Sequence, residues 1–229
     1  MRSILKQLLG QETNIPEAGA EYSMTSYSQE GEDMILKRIF PSLTNGFYVD
    51  IGAHHPYRFS NTYLFYKLGW TGINIDPIPG IKNLFDDKRP KDINLELAIS
   101  DEKTTLNYYN FKEKALNTFS ESLAKQYLDA NWELDNIIPI ETFPISEIFE
   151  RYIPAGKEIH FMSVDVEDLE MKVLQSNDWN RYRPEVLVIE MLNCSAEGMP
   201  DMEIAKYLRS KGYSFYAKTV NSSFFKLAN

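Results

Sequence analysis

Four carboxylates stand where this chain could most readily do chemistry. Asp50, Asp76, Asp165 and Glu190 close or nearly close the apolar runs FYVDI, GINID, IHFMSVD and EVLVIE. Short apolar runs of this kind read as buried strands, and an acid at the end of one is costly unless a partner or ligand compensates it. After the first run the chain turns at Gly52-Ala53 and passes His54, His55 and Pro56. Imidazoles titrate near neutral pH and can take a proton. After the third come Glu167, Asp168 and Glu170, of which Asp168 reads as a helix N-cap. Carboxylates and imidazoles gathered at one edge suit proton transfer, hydroxyl binding or an all-oxygen site for magnesium or calcium. For such a cation the expected ligands are Asp165 and Glu190, on adjacent strands about 4.8 Å apart, with Glu167 or water completing the shell.

A βαβ unit must position the first pair. Between the strands, Ser60 is a good N-cap for a helix of about three turns bearing Tyr63, Leu64, Phe65 and Leu68 and closed by Gly69. Strand, helix and strand require parallel pairing with a right-handed crossover. Ligands of such sheets bind beyond the carboxyl ends of the strands. A dinucleotide would need G-x-G-x-x-G at the turn, so that backbone can approach a pyrophosphate. Here two imidazoles and a proline fill that place, and Arg58 is the one basic residue near it. S-adenosylmethionine has no phosphate, carries a positive sulfonium and amine, and offers a ribose diol. Asp76 stands near the ~20-residue offset expected of a ribose-binding acid. By itself the pattern also fits a parallel-sheet protein with unspecialised strand-end acids.

Four separated blocks narrow the choice. YSQEGEDMIL (27–36), GFYVDIGAHHPYRFSNTYLFYKLGWTGINIDPIPG (46–80), VDVEDLE (164–170) and RPEVLVIE (183–190) together resemble the FkbM family of S-adenosylmethionine-dependent methyltransferases. The resemblance implies an α/β, Rossmann-like methyltransferase fold: a mostly parallel sheet with helices on both faces and a C-terminal antiparallel hairpin. It implies cofactor contacts at Asp50, Gly52, Ala53 and Asp76, with adenine beside Ala98, Ile99 and Ser100. It also implies an acceptor side that includes Gln29, Glu32, Asn61, Glu167 and Glu190, and transfer to a sugar hydroxyl in a glycan or glycosylated metabolite. Asp165, His54 and His55 are then the candidate bases. One departure concerns Asp168, where the family's DVEG has glycine.

The remaining chain sets bounds. Its 229 residues suit one α/β domain, which we place at 26–229 behind an appended segment at 1–25. Within it, 104–154 is a candidate specificity insertion. Its aromatics Tyr108, Tyr109, Phe111, Phe119, Tyr127 and Trp132 could stack on a sugar or pack a core. A net charge of -9 with no basic patch argues against nucleic acid. The lone Cys194 excludes an intrachain disulfide and fits a reducing compartment. No apolar run is long enough for a membrane span and no signal peptide is evident, so a cytoplasmic location is expected. Ile4, Leu5, Leu8 and Leu9 form a stripe suited to packing on the body, on a partner such as a second copy in a homo-oligomer, or on a membrane surface. INLELAIS (93–100) reads as a third strand, and the proline-bearing NIIPIETFPI as an edge strand. Two other functions fit the same residues: a nicotinamide-dependent oxidoreductase, opposed by the missing glycines, and a non-catalytic adenosyl-binding scaffold.

Overall fold

In the computed structural model, which describes residues 22–192 and 194–228, helix α1 (Glu32–Ile39) leads into strand β1 (Phe47–Ile51), helix α2 (Tyr63–Lys67), strand β2 (Thr71–Asp76), helix α3 (Ile81–Lys88) and strand β3 (Ile93–Glu96). A smaller sheet follows, built from β4 (Ala98–Ile99), β5 (Thr104–Phe111) and β6 (Leu134–Phe143), with helix α4 (Glu121–Asp129) before the last. The chain returns through α5 (Ile145–Tyr152), β7 (Phe161–Val164), α6 (Glu170–Gln175), β8 (Val186–Glu190) and α7 (Glu203–Ser210) to the terminal strands β9 (Tyr213–Lys218) and β10 (Ser222–Leu227).

The main sheet has the order β3-β2-β1-β7-β8-β10-β9. Strands β3 through β8 in that order are parallel neighbours, and β10 runs antiparallel to both β8 and β9. Side chains that alternate across each strand assign the helices to faces. Val49, Ile51, Ile75, Val164 and Ile189 share a core with Phe149 of α5, Leu174 of α6 and Leu208 of α7. Tyr48, Phe161, Val188 and Phe224 meet Leu36 of α1 and Phe65 of α2 on the other face. A mostly parallel sheet covered on both sides, with an antiparallel C-terminal hairpin, fits a Rossmann-like methyltransferase.

Several local expectations need correction. Helix α2 has five residues rather than three turns. Ser60 still serves its start, because its Oγ accepts the Tyr63 N–H at 3.1 Å. The run 93–100 breaks at Leu97, so that β3 completes the main sheet and β4 joins the smaller one. Strand β6 lies in the middle of the smaller sheet. Strand β4, however, covers only Thr142 and Phe143 of it, so Pro139 still faces an open edge where its missing N–H costs nothing. Among the described residues no helix is long and apolar enough to cross a membrane. The apolar stripe Ile4, Leu5, Leu8 and Leu9 lies outside the described residues.

Candidate active site

The carboxyl ends of β1, β2, β7 and β8 open onto a cavity of ≈ 310 Å³, within the roughly 300–1,000 Å³ typical of small-molecule sites. Gln29, Gly52, His54, Asp76, Ile99, Asp165, Glu167 and Glu190 all line it. These residues come from six separate stretches of sequence, which meet at the carboxyl edge of the parallel sheet.

Asp50, Ala53, His55, Asn61, Ser100 and Glu32 were expected at the site but do not line this cavity. Asp50 is buried and accepts the Thr62 hydroxyl at 2.7 Å. Ala53 packs with Ile81 and Phe85. His55 Nδ1 accepts the N–H groups of Tyr57 at 3.2 Å and Arg58 at 3.1 Å, which fixes the turn. Asn61 donates to Ser163 Oγ at 3.0 Å. Ser100 donates to Asp101 at 3.0 Å. Glu32 accepts the Thr219 hydroxyl at 3.0 Å, while its neighbour Glu30 accepts the Asn221 N–H at 2.8 Å. The acids at the start of α1 therefore hold the β9–β10 turn.

Among the described residues, no Lys or Arg pairs with the acids that do line the cavity. Asp165, Glu167 and Glu190 each offer one oxygen within 4.8 Å of the others'. Asp165 keeps solvent contact through the cavity while protein crowds its other sides. That crowding, followed by the Glu190 charge, pushes its carboxyl well above the usual range. Desolvation raises Glu167 to about 8 and Glu190 to about 7. Asp165 and Glu190 are close enough to share a proton, so that proton belongs to the pair. His54 is held below its ordinary value by desolvation and then by Arg58, which leaves it neutral at pH 7. Asp76 is raised by burial to about 6. It accepts the His54 N–H at 2.8 Å on one oxygen and the Ile78 N–H at 2.9 Å on the other. Each oxygen retains a lone pair for a ligand.

Strand register explains the glycine at 52. Ile51 lies opposite Val164, so Asp165 comes level with Gly52, and the Asp165 N–H bonds to Ile51 O at 2.9 Å. Gly52 has φ +82°, and a Cβ there would stand 1.6 Å from the Asp165 carbonyl oxygen. Packing of β1 on the acidic loop thus demands glycine whether or not a ligand passes close by. The loop itself is bent by two non-glycine residues in the left-handed region, Glu167 (φ 52°) and Asp168 (φ 80°). Leu169, not Asp168, stands at the N-cap of α6. Asp168 occupies a conformation that glycine adopts freely. Asp168→Gly is therefore expected to stabilise the protein by up to about 1 kcal/mol, read as a higher urea midpoint at unchanged slope. An unchanged or lower midpoint would mean that the Asp168 side chain holds the loop.

Of the insertion's candidate aromatics, Tyr108 and Phe119 reach the cavity, but residues 114–118 beside them and the network of Arg89 escaped the sequence. Tyr108 and residues 114–119 of the insertion form a cavity wall, and the Thr118 hydroxyl bonds to Glu167 O at 3.3 Å. Behind the site, Arg89 is fully buried and donates to Asp92 at 2.8 Å, to Tyr48 Oη at 2.7 Å and to the Thr62 hydroxyl at 3.0 Å. The Arg89-x-x-Asp92 spacing was the only available signal, and in DDKRPKD it reads as solvated charge.

The model of the methyltransferase FkbM domain matches residues 50–215. Among curated proteins none matches the chain. The matched span contains Asp76, the whole acidic cluster and every parallel strand but the start of β1. The sheet, the cavity at its carboxyl edge and a match over most of the length together make this chain a member of the FkbM methyltransferase family.

Proposed function

We propose that this methyltransferase takes its methyl group from S-adenosylmethionine and places it on a hydroxyl oxygen of a sugar, in a glycan or a glycosylated metabolite. The charge of the cavity carries this reading. Among the described residues its wall holds four acids, Asp76, Asp165, Glu167 and Glu190, and one Lys or Arg, Lys114. The Lys114 ammonium is already engaged by Asn110 Oδ1 at 2.9 Å, Phe111 O at 2.8 Å and Asp135 at 3.0 Å. A phosphate-bearing cofactor would meet acids and no free cation, whereas a sulfonium and an amine would find compensation. Asp76 would hold the ribose hydroxyls, and Ile78, Ala98 and Ile99 would flank the base. When bound, the cofactor supplies a methyl already activated by its sulfonium.

The protein's remaining tasks are to align the acceptor hydroxyl and to take its proton. The Asp165–Glu190 pair and neutral His54 are suited to receive it, and Glu167 and Gln29 to bind neighbouring hydroxyls. The sugar rests on what the family resemblance implies, and we treat 26–229 as one domain with 104–154 inserted. Incubation with methyl-labelled cofactor and a panel of glycosides tests this. Label on a sugar oxygen supports the proposal. Cofactor binding without transfer to any acceptor would favour the scaffold reading, and absence of binding would overturn both.

A second reading has its own observation, the three carboxylate oxygens gathered within 4.8 Å. Asp165, Glu167 and Glu190 could hold magnesium or calcium, which would bind two acceptor hydroxyls and lower the pKa of one. Full activity after dialysis against EDTA would remove an essential metal.

A further inference from the structure

Tyr108, on β5, is buried with its ring 4.8 Å from that of Phe119, and both line the cavity. Its hydroxyl lies near enough to Asp76 and Glu167 to feel their charges, and the Asn117 amide approaches it as a hydrogen-bond donor. Asn117 is fixed on its acceptor side, where Oδ1 takes the Phe111 N–H at 2.7 Å. Its Nδ2 is buried and makes no well-formed hydrogen bond, only this approach to the Tyr108 hydroxyl. Buried donors are nearly always satisfied. One left open at a cavity wall is stabilised when a ligand brings an acceptor.

The same cavity carries apolar Ile78, Ala98 and Ile99 and the acid Asp76. Apolar walls, an acid for a diol and an amide-phenol edge that can donate match a flat heteroaromatic base with ring-nitrogen acceptors, joined to a ribose. We propose that Tyr108 and Asn117 read the edge of the nucleobase, so that the insertion completes the nucleoside site rather than serving the acceptor alone. This rests on the S-adenosylmethionine reading above.

Calorimetric titration with S-adenosylhomocysteine and its inosine counterpart, together with thermal melting, tests it. Tyr108→Phe removes a hydroxyl whose contact with Asn117 falls short of a well-formed hydrogen bond, so its melting temperature should stay close to that of the parent while S-adenosylhomocysteine binds about fivefold more weakly. Asn117→Asp keeps the acceptor for the Phe111 N–H and removes the donor. Its preference should shift toward the inosine ligand, whose N1 carries a hydrogen where adenine N1 accepts one. Affinity within twofold of the parent in Tyr108→Phe, with an unchanged adenine-to-inosine ratio in Asn117→Asp, would overturn the assignment alone. A parent protein that binds neither ligand would overturn it together with the cofactor reading.

Discussion

Asp165→Asn is expected to slow methyl transfer by about 10²–10⁴-fold, the range of a lost general base, while raising the melting temperature. Both effects have one cause. Asp165 stands against Glu190 and Glu167 with no Lys or Arg paired to it among the described residues, and all three carboxyls are raised. A neutral amide of the same shape relieves that repulsion and cannot accept the proton. In the unfolded chain these acids ionise near pH 4, whereas in the native state Glu190 does so near 7 and Glu167 near 8. Between those limits the native state binds more protons than the unfolded one. The cluster's contribution to stability is therefore full below about pH 4 and is lost as pH rises toward 8. Asp165→Asn should flatten that decline. Activity should instead rise with pH as the pair becomes able to accept a proton. A variant that melts lower and keeps its turnover would make Asp165 an anchor of the loop.

Arg89→Met should cost about 3–5 kcal/mol of unfolding free energy, the usual penalty for removing one partner of a buried ion pair. Arg89 and Asp92 are both fully buried at the side chain. Asp92 also accepts Tyr48 Oη–H at 2.8 Å, Asn74 Nδ2–H at 3.0 Å and the Gly72 N–H at 2.9 Å. Without the guanidinium that carboxylate is buried uncompensated, and the Thr62 contact that steadies the turn before α2 goes with it. Removing the acid as well, in Arg89→Met/Asp92→Asn, should recover part of the loss. Urea unfolding measures both variants, and a loss below about 1 kcal/mol in the single variant would show the network to be dispensable.

Strands were legible because apolar alternation and strand-end acids leave local marks. Depth was not legible. Asp50 and Asp76 both close apolar runs, yet Asp50 lies opposite Asn74, two residues short of Asp76. It therefore stays beneath the edge and bonds to Thr62. The adjacency of Asp165 and Glu190 followed from two similar runs in succession, and β7 and β8 are indeed parallel neighbours. The wall at 114–119 has no periodicity, and its position depends on how the small sheet meets the loop through Thr118 and Glu167. Arg89 sits in a charged stretch whose burial only tertiary packing decides. The glycine at 52 was visible, but its cause, the Asp165 carbonyl, came from a residue far away in sequence.

In the proposed function the carboxyl edge of this sheet holds an adenosyl cofactor through Asp76. Calorimetric titration of S-adenosylhomocysteine into the parent and into Asp76→Asn tests it most directly, because the amide keeps the side chain's shape and one acceptor oxygen. Saturable binding to the parent is expected, with affinity at least ~10-fold weaker in the variant, or about 1.4 kcal/mol. Equal dissociation constants for the two proteins would contradict it.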